Sequence, residues 1–368
     1  MLYHNAQLHN VAEVLTGGDA AVLPPAACAF LGYDPANPGN SPWARERTDG
    51  VWLSRVPDAL RRQLAGCAQF HALNAAGCEI RFQLRPGGQA RLLLQTPGQP
   101  AAAALYRGCF FESWRPLGQE PVEWIIRAPP QAEKLERLTR ARNLPFDAAV
   151  TRVLLPWWPH LRLLALEGDF EPPRPEQTPA LRGLAYGSSI THGSKTIAPD
   201  AMWASRLAQL LDADLLNLGL GGGACLEPEM ARHLADRHDW DFATLELGIN
   251  LLDLVDADEF QRRVDLFISI VADEHPDQWI FCTDIFTFEG DLLDPAGRGA
   301  KADEFRRIVQ EKIAAMRRPR LVHIPGRNLL RSAAGLTTDL VHPSARGMEE
   351  IAQALTLRIR QSLRLPVP

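Results

Sequence analysis

The chain has 368 residues, of which 46% are hydrophobic and 23% are charged. This length and composition exclude a disordered or collagen-like chain and predict two globular domains. There are 39 basic and 44 acidic residues, giving a formal net charge of −5. Neither sign is gathered into a block, which argues against a nucleic-acid partner.

The apolar runs and the cysteines bear on cellular location. The longest uncharged run lies between Arg91 and Arg107 and contains Pro97 and Pro100, so it is too short and too interrupted to span a membrane. The first residues, MLYHNAQLHNVAEVL, have neither a basic leader nor a continuous apolar stretch, which predicts a cytoplasmic protein. The six cysteines are dispersed without a C-x-x-C pair, and we expect them to be reduced.

The first half of the chain carries short apolar runs that are typical of β-strands. Turn residues separate these runs, as in RPGGQ at 85–89. The pattern predicts an all-β domain, a jelly-roll-like antiparallel sandwich. The predicted strands are 78–84, 90–96, 121–127, 151–156 and 161–167.

A proline-rich segment follows the last of these strands. Residues 168–180, GDFEPPRPEQTPA, contain four prolines among polar residues, a composition that resists helix formation and strand pairing. We therefore predict an N-terminal β-sandwich domain at 1–170, a linker at 171–180 and a second domain at 181–368.

The second half of the chain alternates apolar strands with amphipathic helices. Helical spacing is clear around Trp203 and Leu207 and again around Phe260 and Val264. Strands that are apolar throughout indicate an α/β fold, a flavodoxin-like parallel five-stranded sheet with helices on both faces. The predicted strands are 181–187, 214–219, 242–248, 278–285 and 320–326. Such sheets bind ligands at the carboxyl ends of their strands.

Four sequence blocks lie at or near those ends and carry groups that could take part in catalysis. They supply a hydroxyl group, a run of backbone N–H groups, a carboxamide, and a histidine three residues after an aspartate. Acyl transfer by a serine requires this set: a nucleophile, a base, a group that orients the base, and donors for the oxyanion. The blocks are GSSITHG at 187–193, NLGLGGG at 217–223, LGIN at 247–250 and DLVHP at 339–343.

In order and spacing, these blocks resemble those of the GDSL-like SGNH hydrolases, and the resemblance covers nearly all of 181–368. Residues 9–14 (HNVAEV) and 77–82 (GCEIRF) are similar to the β-sandwich that precedes some members of this family. The resemblance implies a serine hydrolase that acts on carboxylic esters and needs no cofactor.

Carried onto this sequence residue by residue, the resemblance implies a catalytic triad and an oxyanion hole. Ser189 would be the nucleophile, His342 the base, and Asp339 the group that orients the base. The oxyanion donors would be the backbone N–H groups of Ser189 and Gly222 and the side chain of Asn250.

Two positions depart from the family pattern. Ser188 stands where the family usually has Asp, and Leu251 stands where its G-x-N-D block ends in Asp. Both changes remove polar groups that could hold the loops in place. Ser188 is also a competing hydroxyl, but the register of the block favours Ser189.

Two other interpretations compete with the triad. The sequence 219–224, GLGGGA, also fits the G-x-G-x-x-A dinucleotide fingerprint, with Glu246 as the ribose-binding acid. Pro228 argues against this, because it favours a helix that starts several residues after the glycines. His233 and His238 are five residues apart, whereas two metal ligands on a helix need a spacing of three or four, so no metal is predicted.

The expected substrate is a small-molecule ester, with a short acyl group such as acetyl on a carbohydrate or another small polar alcohol. Transfer of the acyl group to a second hydroxyl would use the same residues. A non-catalytic carbohydrate-binding protein is the alternative from another class. Self-association is left open. The tryptophans that could stack on sugar rings, or simply fill the sandwich core, are Trp114, Trp124, Trp157 and Trp158.

Overall fold

The computed structural model describes residues 1–16, 50–96 and 99–365. Within these ranges the chain forms two antiparallel sheets and then one parallel sheet. Residues 17–49, which include Cys28, lie outside the described ranges. The strands are β1 (Leu2–Tyr3), β2 (Ala6–His9), β3 (Glu13–Thr16), β4 (Val51–Ser54), β5 (Glu79–Leu84), β6 (Gln89–Gln95), β7 (Ala101–Arg107), β8 (Phe110–Leu117), β9 (Val122–Arg127), β10 (Val150–Leu154), β11 (Arg162–Gly168), β12 (Phe170–Glu171), β13 (Arg182–Gly187), β14 (Asp214–Gly219), β15 (Phe242–Glu246), β16 (Trp279–Thr283) and β17 (Leu321–Ile324).

Most of the longer helices lie in the second half of the chain. The helices are α1 (Asp58–Arg61), α2 (Gly66–His71), α3 (Ala132–Arg142), α4 (Ser189–His192), α5 (Trp203–Leu211), α6 (Pro228–Ala235), α7 (Ala257–Glu274), α8 (Glu289–Leu293), α9 (Arg298–Met316), α10 (Gly326–Leu329) and α11 (Ala345–Leu363). None of the helices in the described ranges combines the length and the apolar character needed to cross a bilayer.

The two antiparallel sheets form the predicted sandwich. One has the order β1-β2-β5-β10-β7-β8, with β12 also paired to β5, and the other has the order β3-β4-β11-β6-β9. Their inner faces share one core, in which Ile80 and Phe82 of β5 lie in the same buried cluster as Leu92 and Leu94 of β6. All five strands that the sequence predicts for this half are present.

Strand β7 was not predicted from the sequence. Its sequence, AAAALYR, is rich in alanine, which is the strongest helix former. The segment nevertheless pairs with β10 on one side and β8 on the other, and Ala103 and Ala104 are fully buried. Small side chains at a crowded position in the sandwich outweigh the helical preference.

The proline-rich segment is more structured than its composition suggests. Phe170 and Glu171 pair with Leu84 and Gln83 of β5. A short 3₁₀ turn follows at Pro175–Gln177, and the buried Gln177 side chain donates to Gln83 at 2.7 Å. This part of the chain is attached to the sandwich by a strand pair and a side-chain hydrogen bond.

The parallel sheet has the order β14-β13-β15-β16-β17, and all its pairs are parallel. Alternate residues of the central strands face opposite layers: Tyr186 packs with α7 and α9, whereas Ala185 packs with α5 and α11. This is the predicted flavodoxin-like sheet covered on both faces. The strand order reverses next to β13, where such folds form their ligand crevice.

Candidate active site

Ser189 lies in the turn that connects strand β13 to helix α4. Ser188 is the N-cap of this helix, and its hydroxyl accepts a hydrogen bond from the Ile190 N–H at 3.1 Å. Ser189 is therefore the first helical residue, half-buried, and its own N–H has no acceptor among the described residues. Gly187 has no room for a side chain, because a Cβ there would lie 2.4 Å from the Thr191 hydroxyl.

Ser189, His342 and Asp339 form one hydrogen-bonded chain. The Nε2 atom of His342 lies 2.8 Å from the Ser189 Oγ atom, and its Nδ1 atom lies 2.9 Å from Oδ2 of Asp339. A carboxylate can only accept, so Nδ1 carries the proton and Nε2 is left as the acceptor for the Ser189 hydroxyl. This is the tautomer that a general base requires.

The turn before His342 fixes the Asp339 carboxylate. Its Oδ1 atom accepts from the Thr337 hydroxyl at 2.8 Å, the His342 N–H at 2.9 Å and the Val341 N–H at 3.1 Å. Burial alone would raise the pKa of Asp339, but these hydrogen bonds outweigh it and hold the pKa well below its usual range. The second oxygen, Oδ2, faces the imidazole and also has the Lys195 ammonium 3.7 Å away.

Three N–H donors in the loops after the parallel strands have no acceptor among the described residues. Gly222, at φ +62°, and Ser189 have N–H groups that meet no acceptor in the described ranges. The Asn250 side chain accepts from the Ala224 N–H through Oδ1 at 3.1 Å, which leaves its Nδ2 group free to donate. All three lie in segments that follow the strand ends β13, β14 and β15.

A buried carboxylate, considered in the sequence analysis as a ribose-binding acid, holds the turn at Ser188 and Ser189. Glu246, at the end of β15, accepts from the Ser188 N–H at 3.0 Å, the Thr191 hydroxyl at 2.6 Å and the Ser188 hydroxyl. The carboxylate that the family pattern usually has at position 188 is absent here, and the neighbouring strand supplies one to the turn instead. Burial raises the pKa of Glu246, despite the hydrogen bonds it accepts.

The second departure from the family pattern, Leu251, also has a structural reason. Its side chain is fully buried and lies in the core that includes Leu247 and Leu252. An aspartate at this depth would need a partner to offset its desolvation.

The glycine loop, residues 219–223, packs against the sandwich half of the chain. A Cβ on Gly223 would lie 2.4 Å from the Ala68 N atom, and a Cβ on Gly221 would lie 2.9 Å from the His71 Nε2 atom. Helix α6 begins at Pro228, as predicted, well beyond the glycines. Close contact with α2 thus accounts for these glycines, and the dinucleotide interpretation loses the helix start on which it depends.

The other residues considered in the sequence are dispersed. Trp124 is part of the sandwich core and Trp114 is 44% exposed on β8. Trp157 is half-buried, and its indole N–H donates to the Thr196 carbonyl at 3.0 Å. Within 1–16, 50–96 and 99–365, no cluster of three His, Cys, Asp or Glu side chains could hold a metal ion.

Comparison with known proteins identifies the second half of the chain. Residues 182–360 match the model of the GDSL-like lipase/acylhydrolase family. A search of curated proteins gave no match.

Solved structures show the same fold at low sequence identity. The salicylyl-acyltransferase SsfX3 from a tetracycline biosynthetic pathway is 15% identical, with a TM-score of 0.73 over 99% of this chain and 96% of that one. A Bacteroides ovatus protein described as a GDSL-like lipase is 20% identical, with a TM-score of 0.66 over 84% and 92%. A family two carbohydrate esterase from Clostridium thermocellum, solved with cellohexaose, is 16% identical, with a TM-score of 0.56 over 78% and 92%. Residues 182–360 thus form a GDSL-like lipase/acylhydrolase domain, and the chain is an enzyme of acyl-ester hydrolysis or transfer.

Proposed function

We propose that the chain is a serine esterase or acyltransferase whose nucleophile is Ser189, with His342 as the base and Asp339 as its orienting group. The observation that carries the proposal is the continuous hydrogen-bonded chain from the Ser189 hydroxyl through both imidazole nitrogens to Asp339. A serine hydroxyl is a weak nucleophile until an adjacent base can take its proton.

In the proposed reaction, the Ser189 Oγ atom bonds to the ester carbonyl carbon while its proton passes to Nε2 of His342. The negative charge on the carbonyl oxygen is stabilised by the N–H groups of Ser189 and Gly222 and by the Asn250 side chain. The ester C–O bond then breaks, and the leaving alcohol takes the proton from His342. Water or a second hydroxyl compound removes the acyl group from Ser189 by the same steps in reverse.

For the substrate, we propose a short acyl group, with acetyl as the first choice, on a carbohydrate or a small polar alcohol. The carbohydrate esterase solved with cellohexaose supports a sugar, and the acyltransferase SsfX3 supports transfer as the alternative to hydrolysis. The non-catalytic alternative would rest on the two departures from the family pattern, Ser188 and Leu251, and we favour it less because the Glu246 carboxylate binds the turn at Ser188.

The test is ester turnover by the wild type, by Ser189→Ala and by a control, Ser194→Ala, which removes a half-buried hydroxyl just beyond the same short helix. We expect Ser189→Ala to lose turnover by at least about 10³-fold and Ser194→Ala to stay within about threefold of the wild type. Acetyl esters should be cleaved faster than octanoyl esters. A clear preference for octanoyl esters would overturn the substrate proposal, and turnover that survives Ser189→Ala would overturn the proposed nucleophile.

A further inference from the structure

Strand β14 is an edge strand whose outer carbonyl groups are satisfied by side chains from the sandwich half. Among the strands that the structure describes, β14 pairs only with β13, so its other edge has no backbone partner within those residues. His9 Nε2 lies 2.9 Å from the Leu215 carbonyl oxygen, and Asn10 Nδ2 donates to the Asn217 carbonyl at 2.9 Å. The backbone that leads into the glycine loop is thus held from outside the parallel sheet.

Arg55 makes the most extensive of these contacts. It follows β4, is 1% exposed, and donates to the carbonyl oxygens of Asn217 and Gly219, each at 2.8 Å. It also donates to the carbonyl oxygens of Asn74 at 2.8 Å and His71 at 2.5 Å. In the part of the chain that the structure describes, no carboxylate pairs with it.

A buried cation of this kind needs a full set of hydrogen bonds to offset its desolvation. Burial lowers the pKa of Arg55 to about 10, so the guanidinium keeps its proton at neutral pH. The planar group offers five N–H donors in a fixed arrangement, which an amine cannot reproduce. One rigid group therefore connects the end of α2 to the first residue of the glycine loop.

The glycine loop is confined between this guanidinium and the rest of the site. Gly221 and Gly223 lie directly against His71 and Ala68. The far end of the loop is held by the hydrogen bond from the Ala224 N–H to Asn250. Gly222, whose N–H has no acceptor among the described residues, lies between these two anchors.

We infer that Arg55 is a positioning residue: it fixes the start of the loop 219–223 so that the Gly222 N–H points at the developing oxyanion. The inference rests on the proposed function, in which that N–H is a donor. A displacement of about 1 Å at a reacting centre can cost about 100-fold in rate. The sandwich half of the chain would then contribute to catalysis through Arg55, although Arg55 itself would not contact the substrate.

The experiment compares Arg55→Met with Arg81→Met, a matched change at the opposite end of β14. Arg81 is also 1% exposed, and it binds Asp214 through two hydrogen bonds of 2.7 Å. Both changes remove a buried arginine from the same contact between the two halves of the chain. Reactive serines are first counted with a fluorophosphonate label, so that kcat refers only to folded, competent sites.

We expect Arg55→Met to lower kcat per labelled site by about 10- to 100-fold with KM changed by less than about threefold, as for a loss of transition-state stabilisation. Arg81→Met should stay within about threefold in both constants. Arg55→Lys, which keeps the charge and loses the planar fork, should fall between the wild type and Arg55→Met. It also serves as the test variant if the methionine variant does not fold.

Amide hydrogen exchange supplies a readout that does not depend on turnover. Exchange in residues 219–224 should be faster in Arg55→Met than in Arg81→Met. Equal per-site rates and equal exchange in the two variants would overturn the inference. If Ser189→Ala turned over the ester at the wild-type rate, the proposed function would be overturned instead. The exchange result would still report whether Arg55 holds the loop.

Discussion

The Nε2 atom of His342 lies 2.8 Å from the Oγ atom of Ser189, although 153 residues separate the two in sequence. Ser189 follows the first strand of the parallel sheet, and His342 lies in the turn just before the last helix. The parallel sheet brings these segments together at the carboxyl ends of its strands. The short contact leaves the serine hydroxyl as donor and the imidazole as acceptor.

Changing Asp339→Asn should reverse the imidazole tautomer. The new Nδ2 group would donate to Nδ1 of His342, which moves the imidazole proton to Nε2 and removes the acceptor for Ser189. We expect kcat/KM to fall by about 10²- to 10⁴-fold with little change in KM. Asp253→Asn, at a carboxylate that is 63% exposed, is the control and should be near wild type. Equal activity of Asp339→Asn and the wild type would contradict the proposed role.

Changing Asn250→Ala should remove one proposed oxyanion donor and the acceptor for the Ala224 N–H. Loss of a single oxyanion donor typically lowers kcat by about 10²- to 10³-fold, and we expect a loss in this range. Asn328→Ala, at an exposed position, is the matched control. Steady-state kinetics on one ester would check both variants, and a rise in KM with kcat unchanged would show that Asn250 binds substrate without selectively stabilising the transition state.

Changing Glu246→Gln should alter how stability depends on pH. Because burial raises the pKa of Glu246 above its ordinary value of 4.5 in the folded state, folding favours its protonated form. Its contribution is fully present below the ordinary pKa and is lost as pH rises through the raised one. Glutamine does not titrate, so the stability of the wild type relative to the variant should decrease as pH rises from about 4.5 towards neutrality. Urea unfolding at several pH values measures the free energy of unfolding of both proteins. A wild type that becomes more stable relative to the variant as pH rises would contradict the assignment.

Much of the fold follows from local sequence patterns. The five strands of the parallel sheet and the start of α6 at Pro228 could be predicted, because buried parallel strands are continuously apolar and proline favours the first turn of a helix. Strand β7 could not be predicted, since its alanines favour a helix and only its neighbours β8 and β10 make it a strand.

The site was predictable where residue type and order carry the information. Ser189, Asp339 and His342 are singled out by their blocks, and the structure brings their side chains together. The partners of these residues were harder to predict from the sequence. Glu246 lies 58 residues from Ser188, and its contact depends on the register of β13 and β15. Arg55 has no local motif, and its role depends on how the two halves of the chain pack together.

Fluorophosphonate labelling of the purified wild-type protein, with the modified peptide mapped by mass spectrometry, tests the central claim most directly. The account predicts one adduct on Ser189, absent in Ser189→Ala and retained in Ser194→Ala. An adduct on Ser188, or no adduct under conditions where a known serine esterase is fully labelled, would contradict it.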